Sequence, residues 1–198
     1  MRYSLKTGIA VGNAPNLGVL CYDTYVAWIP HLAIGMQLSP QLWQQIIAAI
    51  QTQPTWHERL SRWYHTQSAP TLHLVILREP YLSRILSGQK RIESRFAHNR
   101  RPPFGRVAVG DILLLKRAGG PLAGLALVTE VISRLLSTGE IHEIRRVYEH
   151  DLAIADPDFW SAHATARYVT LVWIDDVWPL PPLPFPRRDR RGWVIVQR

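Results

Sequence analysis

Gly88-Gln89-Lys90-Arg91-Ile92-Glu93-Ser94-Arg95 is the stretch whose reading decides the fold. It follows Pro80 and the apolar positions Leu82, Ile85 and Leu86, which are spaced as one face of a short helix. Gly88 is the residue that stops such a helix. If a strand begins near Arg91, alternation places Ile92, Ser94 and Phe96 on one face and Arg91, Glu93 and Arg95 on the other. Glu93 and Arg95 are then neighbours. Lys90 falls just past the helix C-terminus, where the helix dipole favours a cation and where a partly solvated ammonium can reach into the mouth of a cleft. The octet therefore predicts an ion-paired carboxylate flanked by two cations. Two roles fit it: a salt bridge stapling helix to strand, or a binding site.

Outward from the octet, Leu72 to Leu77 reads as a strand, and Ile112 to Lys116 and Leu122 to Ile132 read as two more. Gly119-Gly120-Pro121 joins the latter pair, since glycine permits the positive φ of a tight hairpin. Ser137 and Glu140 form a capping-box pattern opening a helix to about His150. Tyr168 to Asp175 and Trp193 to Val196 supply closing strands, separated by five prolines between 179 and 186. Short strands, few helices and closely spaced turns predict an α+β, mainly β fold built on a small closed barrel.

Upstream, Ser39-Pro40 caps a helix over about 40–52 with Leu42, Trp43, Ile46, Ile47 and Ile50 at helical spacing. Thr55-Trp56-His57-Glu58 fits a capping box for a second helix, whose apolar face is Trp56, Leu60, Trp63 and Tyr64. Gln67 to Pro70 reads as a linker. The predicted organisation is a partly helical extension over 1–70 and a barrel over 71–198. Trp28, Trp43, Trp56 and Trp63 are half of the eight tryptophans. Aromatic residues at helical spacing usually face a core, so the extension is expected to cover an apolar face of the barrel, or to hold a protein partner.

The 198 residues, 47% apolar and 19% charged, exclude a disordered or low-complexity chain and leave no room for two full catalytic domains. The net charge of +8 is carried by three lysines (Lys6, Lys90, Lys116) and twenty arginines. It is organised in blocks: residues 71–117 hold ten basic and three acidic residues, residues 118–176 four and nine. Such a dipolar field steers anions to one face and points to a polyanionic partner. The single cysteine, Cys21, excludes an internal disulfide and a cysteine zinc site. Residues 24–57 carry no charge, but Pro30, Pro40, Pro54 and six glutamines interrupt them, so no membrane span is expected. The N-terminus lacks a signal-peptide pattern, and a cytoplasmic location is expected.

The GxKxxExR pattern of Gly88 to Arg95 resembles the signature of the ASCH domain, a PUA-like β-barrel family. The strand at Leu72 to Leu77, the helix after Pro80, Val109-Gly110-Asp111 before a hydrophobic strand and the Arg-rich tail ending in Trp193 resemble it too, over about residues 71–197. The resemblance implies a cleft beside the motif that takes single-stranded RNA or a modified nucleotide, with Lys90, Glu93 and Arg95 at its centre and no cofactor. Some members are enzymes. One branch hydrolyses the amide of an acetylated cytidine; there the position matching Glu93 is a threonine nucleophile. Here it is a carboxylate, and strand parity turns Ser94 to the opposite face. Another branch cleaves single-stranded RNA. Without a metal, that reaction needs a base for the 2′-hydroxyl and cations for the phosphorane, a set Lys90, Glu93 and Arg95 could supply.

Further phosphate contacts are expected from Arg78, just before the Pro80 helix, from Lys116 and Arg117 at a strand end, and from Arg188, Arg190 and Arg191 at the barrel rim. A metal site is not expected. His142, Glu143, Glu149 and His150 sit at the two ends of one predicted helix, about 10 Å apart, and no HExxH pattern occurs.

Overall fold

Strand β2 (Leu72–Leu77), apolar but for His73, and strand β4 (Ile112–Arg117), apolar from Ile112 to Leu115, are rich in apolar residues because both of their faces are covered. Leu72, Leu74, Ile112 and Leu114 pack on one side of the sheet with Ile46, Ile50, Trp56 and Leu60 from two helices, α1 (Pro40–Ala49) and α2 (Pro54–His65). Val75, Leu77, Leu113 and Leu115 pack on the other side against Leu82 and Ile85 of α3 (Tyr81–Leu86) and against Trp193. These contacts come from a computed structural model that describes residues 36–66, 70–185 and 191–197. All of them lie in one unit, Ala33–Arg198.

The remaining elements are β1 (Met36–Gln37), β3 (Ile92–Ala97), β5 (Leu122–Leu135), α4 (Glu140–Leu152), α5 (Phe159–Ala162), β6 (Tyr168–Leu183) and β7 (Trp193–Gln197). The seven strands form one sheet in the order β1-β7-β2-β4-β5-β6-β3, with β1–β7 and β2–β4 parallel and the other pairs antiparallel. The fold is mixed α+β, but the ladder is not closed, contrary to the expected barrel. The two-residue β1 pairs only with Val196 and Gln197 of β7, so the β7 edge from Trp193 to Ile195 carries no strand. β3 pairs only with β6. Between those edges lies the Arg95 guanidinium, whose Nη2 donates to Ile76 O of β2 at 3.3 Å. The Arg95 side chain thus reaches from β3 to β2 across the open side of the sheet.

Several local expectations hold. Ser39 accepts from Leu42 N with Pro40 in the first turn of α1, β2 has its expected bounds, and Gly88 (φ 75°) follows α3. Others are corrected. Pro54 sits in the first turn of α2, whose N-cap is Gln53, so Thr55 opens no capping box. At α4 the N-cap is Gly139; Glu140 takes hydrogen bonds from the Ser137 amide and hydroxyl, half of the expected box. The prolines do not end β6, which runs through Pro179, Pro181 and Pro182 to Leu183. Its pairing with β5 shifts between Leu122↔Leu183 and Gly124↔Pro179. Such a bulge releases amides from the ladder and so admits residues without one.

A third cluster ties β3 to the far helices: Ile92 and Phe96 pack with Ile141, Ile144 and Leu152 of α4 and with Val169 and Leu171 of β6. It anchors the strand that carries the octet. No described helix is long and apolar enough to cross a membrane.

Candidate functional site

The octet begins where α3 ends. Gly88 N donates to Ile85 O at 3.0 Å and Lys90 N to Arg84 O at 2.9 Å, which turns the chain into β3. The turn carries the Lys90 side chain inward, not out to the cleft mouth: Lys90 is 3% exposed. Its Nζ donates to Ile92 O at 2.6 Å and to Leu152 O at 2.8 Å, and stands 3.6 Å from Glu93 Oε2. Leu152 is the last residue of α4, so its carbonyl is one that the helix itself leaves without a partner, at the end where a cation is favoured. Lys90 thus caps a helix more than fifty residues downstream. Burial pushes its ammonium below the usual lysine range; Glu93 opposes that shift and Arg95 adds to it.

Glu93, also buried, receives Arg95 Nη2 on Oε1 at 2.9 Å. The expected trio of one carboxylate between two cations is present. Arg95 lies over the Trp193 ring at 5.5 Å, and its Nε is buried without a hydrogen-bond partner. Trp193 is itself fixed. Its Nε1 donates to His73 Nδ1 at 3.1 Å, and His73 Nε2 is 3.0 Å from Asp111 Oδ2. An indole only donates, so Nδ1 accepts and the ring proton sits on Nε2, pointing at the carboxylate. Asp111 further accepts from Thr71 N at 2.7 Å and Ala108 N at 2.8 Å. A polar His73 inside an otherwise apolar strand was the sequence signal for this relay.

Lys90, Glu93 and Arg95 line a cavity of about 1000 Å³. Arg78 and Lys116 line it too. Lys116 Nζ, however, donates to Arg117 O at 3.1 Å and Gly120 O at 2.7 Å, so it braces its own hairpin at the cavity wall. Arg117 is not part of the wall; it pairs outward with Glu79 at 2.7 Å. Arg191 lines a smaller neighbouring cavity, while Arg188 and Arg190 lie outside the described residues. Ser94 also contributes to the large cavity, against its parity. The reason is that β3 is an edge strand, so its alternate residues turn main-chain atoms toward the opening. Ile174 N donates to Arg91 O, which puts residues 91, 93 and 95 in the bonded register with β6 and leaves 92, 94 and 96 facing away.

Sequence reading missed Tyr81, Arg101, Phe159, His163 and Phe185, all on the cavity wall. Phe159 and His163 lie against each other, tilted by 34° with centroids 4.4 Å apart, and reach the site through α5, a four-residue helix with no apolar periodicity to announce it. Among the described residues no group of three or more His, Cys, Asp or Glu is placed to hold a metal ion.

Residues 75–160 match the family model of the ASCH domain. The fold is similar to the crystal structure of ASCH from Zymomonas mobilis, at 13% identity and a TM-score of 0.52, over 64% of this chain and 88% of that one. It is equally similar to a serine-to-alanine variant of that protein, at 14% identity and a TM-score of 0.52, over 64% and 89% of the two chains. No curated protein matches the chain.

Proposed function

We propose that this chain, whose residues 75–160 carry an ASCH domain, binds single-stranded RNA or a modified nucleotide in the cavity beside Lys90, Glu93 and Arg95. One observation carries the reading: cations and aromatic rings share the wall of a single cavity of about 1000 Å³. Arg78 and Arg101 are exposed there and make no ion pair among the described residues. Tyr81, Phe159 and Phe185 add aromatic surface to the same wall. Cations that track phosphates beside rings that stack on bases are the two components of single-strand binding, and the volume is at the upper end for small-ligand sites.

The roles divide by burial. Arg78 and Arg101 take phosphate oxygens. Glu93 keeps carboxylate lone pairs beyond those used by Arg95 and Lys90, and accepts from a base amino group. Lys90 positions Glu93, because its own donors already point at two carbonyls and that carboxylate.

Fluorescence anisotropy of a labelled single-stranded RNA against the full chain tests this. Affinity should fall with salt at roughly 0.7 log-log units per phosphate neutralised. Salt-independent binding, or none, would refute it. Gel analysis of the same samples, with chelator present, reads the alternative: strand cleavage would make the site that of a metal-independent ribonuclease.

A further inference from the structure

A second cavity of about 560 Å³ abuts the first, and the two share Arg95, Phe96, Arg101 and Gly192 in their walls. The second opens between the unpaired edges of β3 and β7, in the gap that the unclosed sheet leaves. Its far wall is aromatic: Phe104 and Tyr168 meet edge to face at 5.1 Å, and the Arg100 guanidinium lies 5.9 Å and 5.6 Å from their centroids. Trp193, under Arg95, closes the floor.

We infer that the site takes at least two consecutive nucleotides of a single strand, one base in each cavity, with the linking phosphodiester held at the shared wall by Arg95 and Arg101. This rests on the RNA-binding reading above and specifies its ligand: an oligonucleotide, in preference to a free nucleoside or mononucleotide. Three features of the shared wall support it. The wall carries two guanidiniums, the groups suited to a phosphate. Glu93 and Ile76 both engage Nη2 of Arg95, whose side chain is 27% exposed, so Nη1 keeps its donors for a ligand. Finally, Gly192 leaves the space in which Arg95 Nη1 lies: a Cβ there would stand 2.7 Å from it. The smaller cavity offers a base a ring pair already braced by a cation, a platform that tolerates any base.

Titration calorimetry on the full chain with nucleoside 5′-monophosphates and with the matching 5′-phosphorylated dinucleotides tests the inference. The dinucleotide should bind at least about tenfold more tightly, the gain expected from one further stacked base. In Phe104→Leu, which keeps an apolar side chain and removes the ring, that gain should vanish while mononucleotide affinity stays within twofold. Unchanged mononucleotide binding also shows that the variant is folded. Equal affinities for the two ligands in the wild type would overturn the two-nucleotide site and leave the RNA-binding reading standing. A gain that survives Phe104→Leu would overturn the assignment of the second base to the smaller cavity. Binding of neither ligand, nor of longer RNA, would overturn the underlying reading itself.

Discussion

Lys90→Met removes a buried ammonium while keeping a flexible side chain of similar length, and its cost is set by what is left behind. Ile92 O and Leu152 O lose donors at 2.6 Å and 2.8 Å, and Glu93, 7% exposed at its side chain, keeps only Arg95. Breaking a buried ion pair by deleting one partner costs roughly 3–5 kcal/mol. Because Arg95 still holds Glu93, the lower end, about 3 kcal/mol, is expected. For a unit of this size each kcal/mol moves Tm by about 2–4 °C, so the fall should be about 6–12 °C by circular dichroism. Adding Glu93→Gln removes the unbalanced charge, and the double variant should be at least about 1 kcal/mol more stable than the sum of the two single effects. A drop below about 2 °C, or strict additivity, would refute the reasoning and place the ammonium in solvent.

The pH dependence has a definite sign. Lys90 releases its proton below the ordinary lysine pKa of about 10.4 while the unfolded chain still holds one. Wild-type stability relative to Lys90→Met should therefore rise with pH from the lowered value up to the unfolded one; a fall over that window in paired urea melts would contradict it. Gly192→Ala displaces the far end of the flexible Arg95 side chain, so RNA affinity should drop several-fold with Tm changed by less than about 3 °C; unaltered anisotropy titrations would count against the Arg95 contact. Arg117→Ala breaks only the half-exposed pair with Glu79 and should leave RNA affinity within twofold. A chain starting at Thr71 loses α1 and α2 and bares Leu72, Leu74, Ile112 and Leu114; light scattering should show it aggregating, and a monodisperse, heat-resistant product would show those helices to be dispensable.

What could be read from the sequence was what neighbouring residues decide among themselves. The cap of α1, the bounds of β2, the hairpin at Gly119-Gly120 and the Glu93–Arg95 pairing across one strand position all depend on a few consecutive residues. The misreadings share a different cause. Lys90 is buried because the end of α4 arrives beside it, 62 residues on. Arg117 leaves the cavity because Glu79 waits across a neighbouring loop. β6 runs through Pro179, Pro181 and Pro182 because its pairing with β5 shifts register there. The ladder stays open because β3 pairs only with β6 and β7 only with β2 and β1, an arrangement set by residues far apart in the chain. None of these partners is near in sequence, and no periodicity encodes them.

The unpaired flank of β3 has a consequence for the solution behaviour of the protein. A strand with bare amides and carbonyls is a template on which another chain can add, and proteins guard such edges with charge. Here the bare positions, Ser94 and Phe96, open into the cavity, with Arg78, Arg95 and Arg101 in its wall. Another polypeptide strand would have to dehydrate those guanidiniums to reach them, whereas a polyanion is drawn in by the same charges. The charge of the gap thereby opposes edge-to-edge association, and on the RNA-binding proposal the same guanidiniums are the groups that meet phosphate. Neutralising Arg95 and Arg101 together should lower RNA affinity and raise the tendency to self-associate in one step.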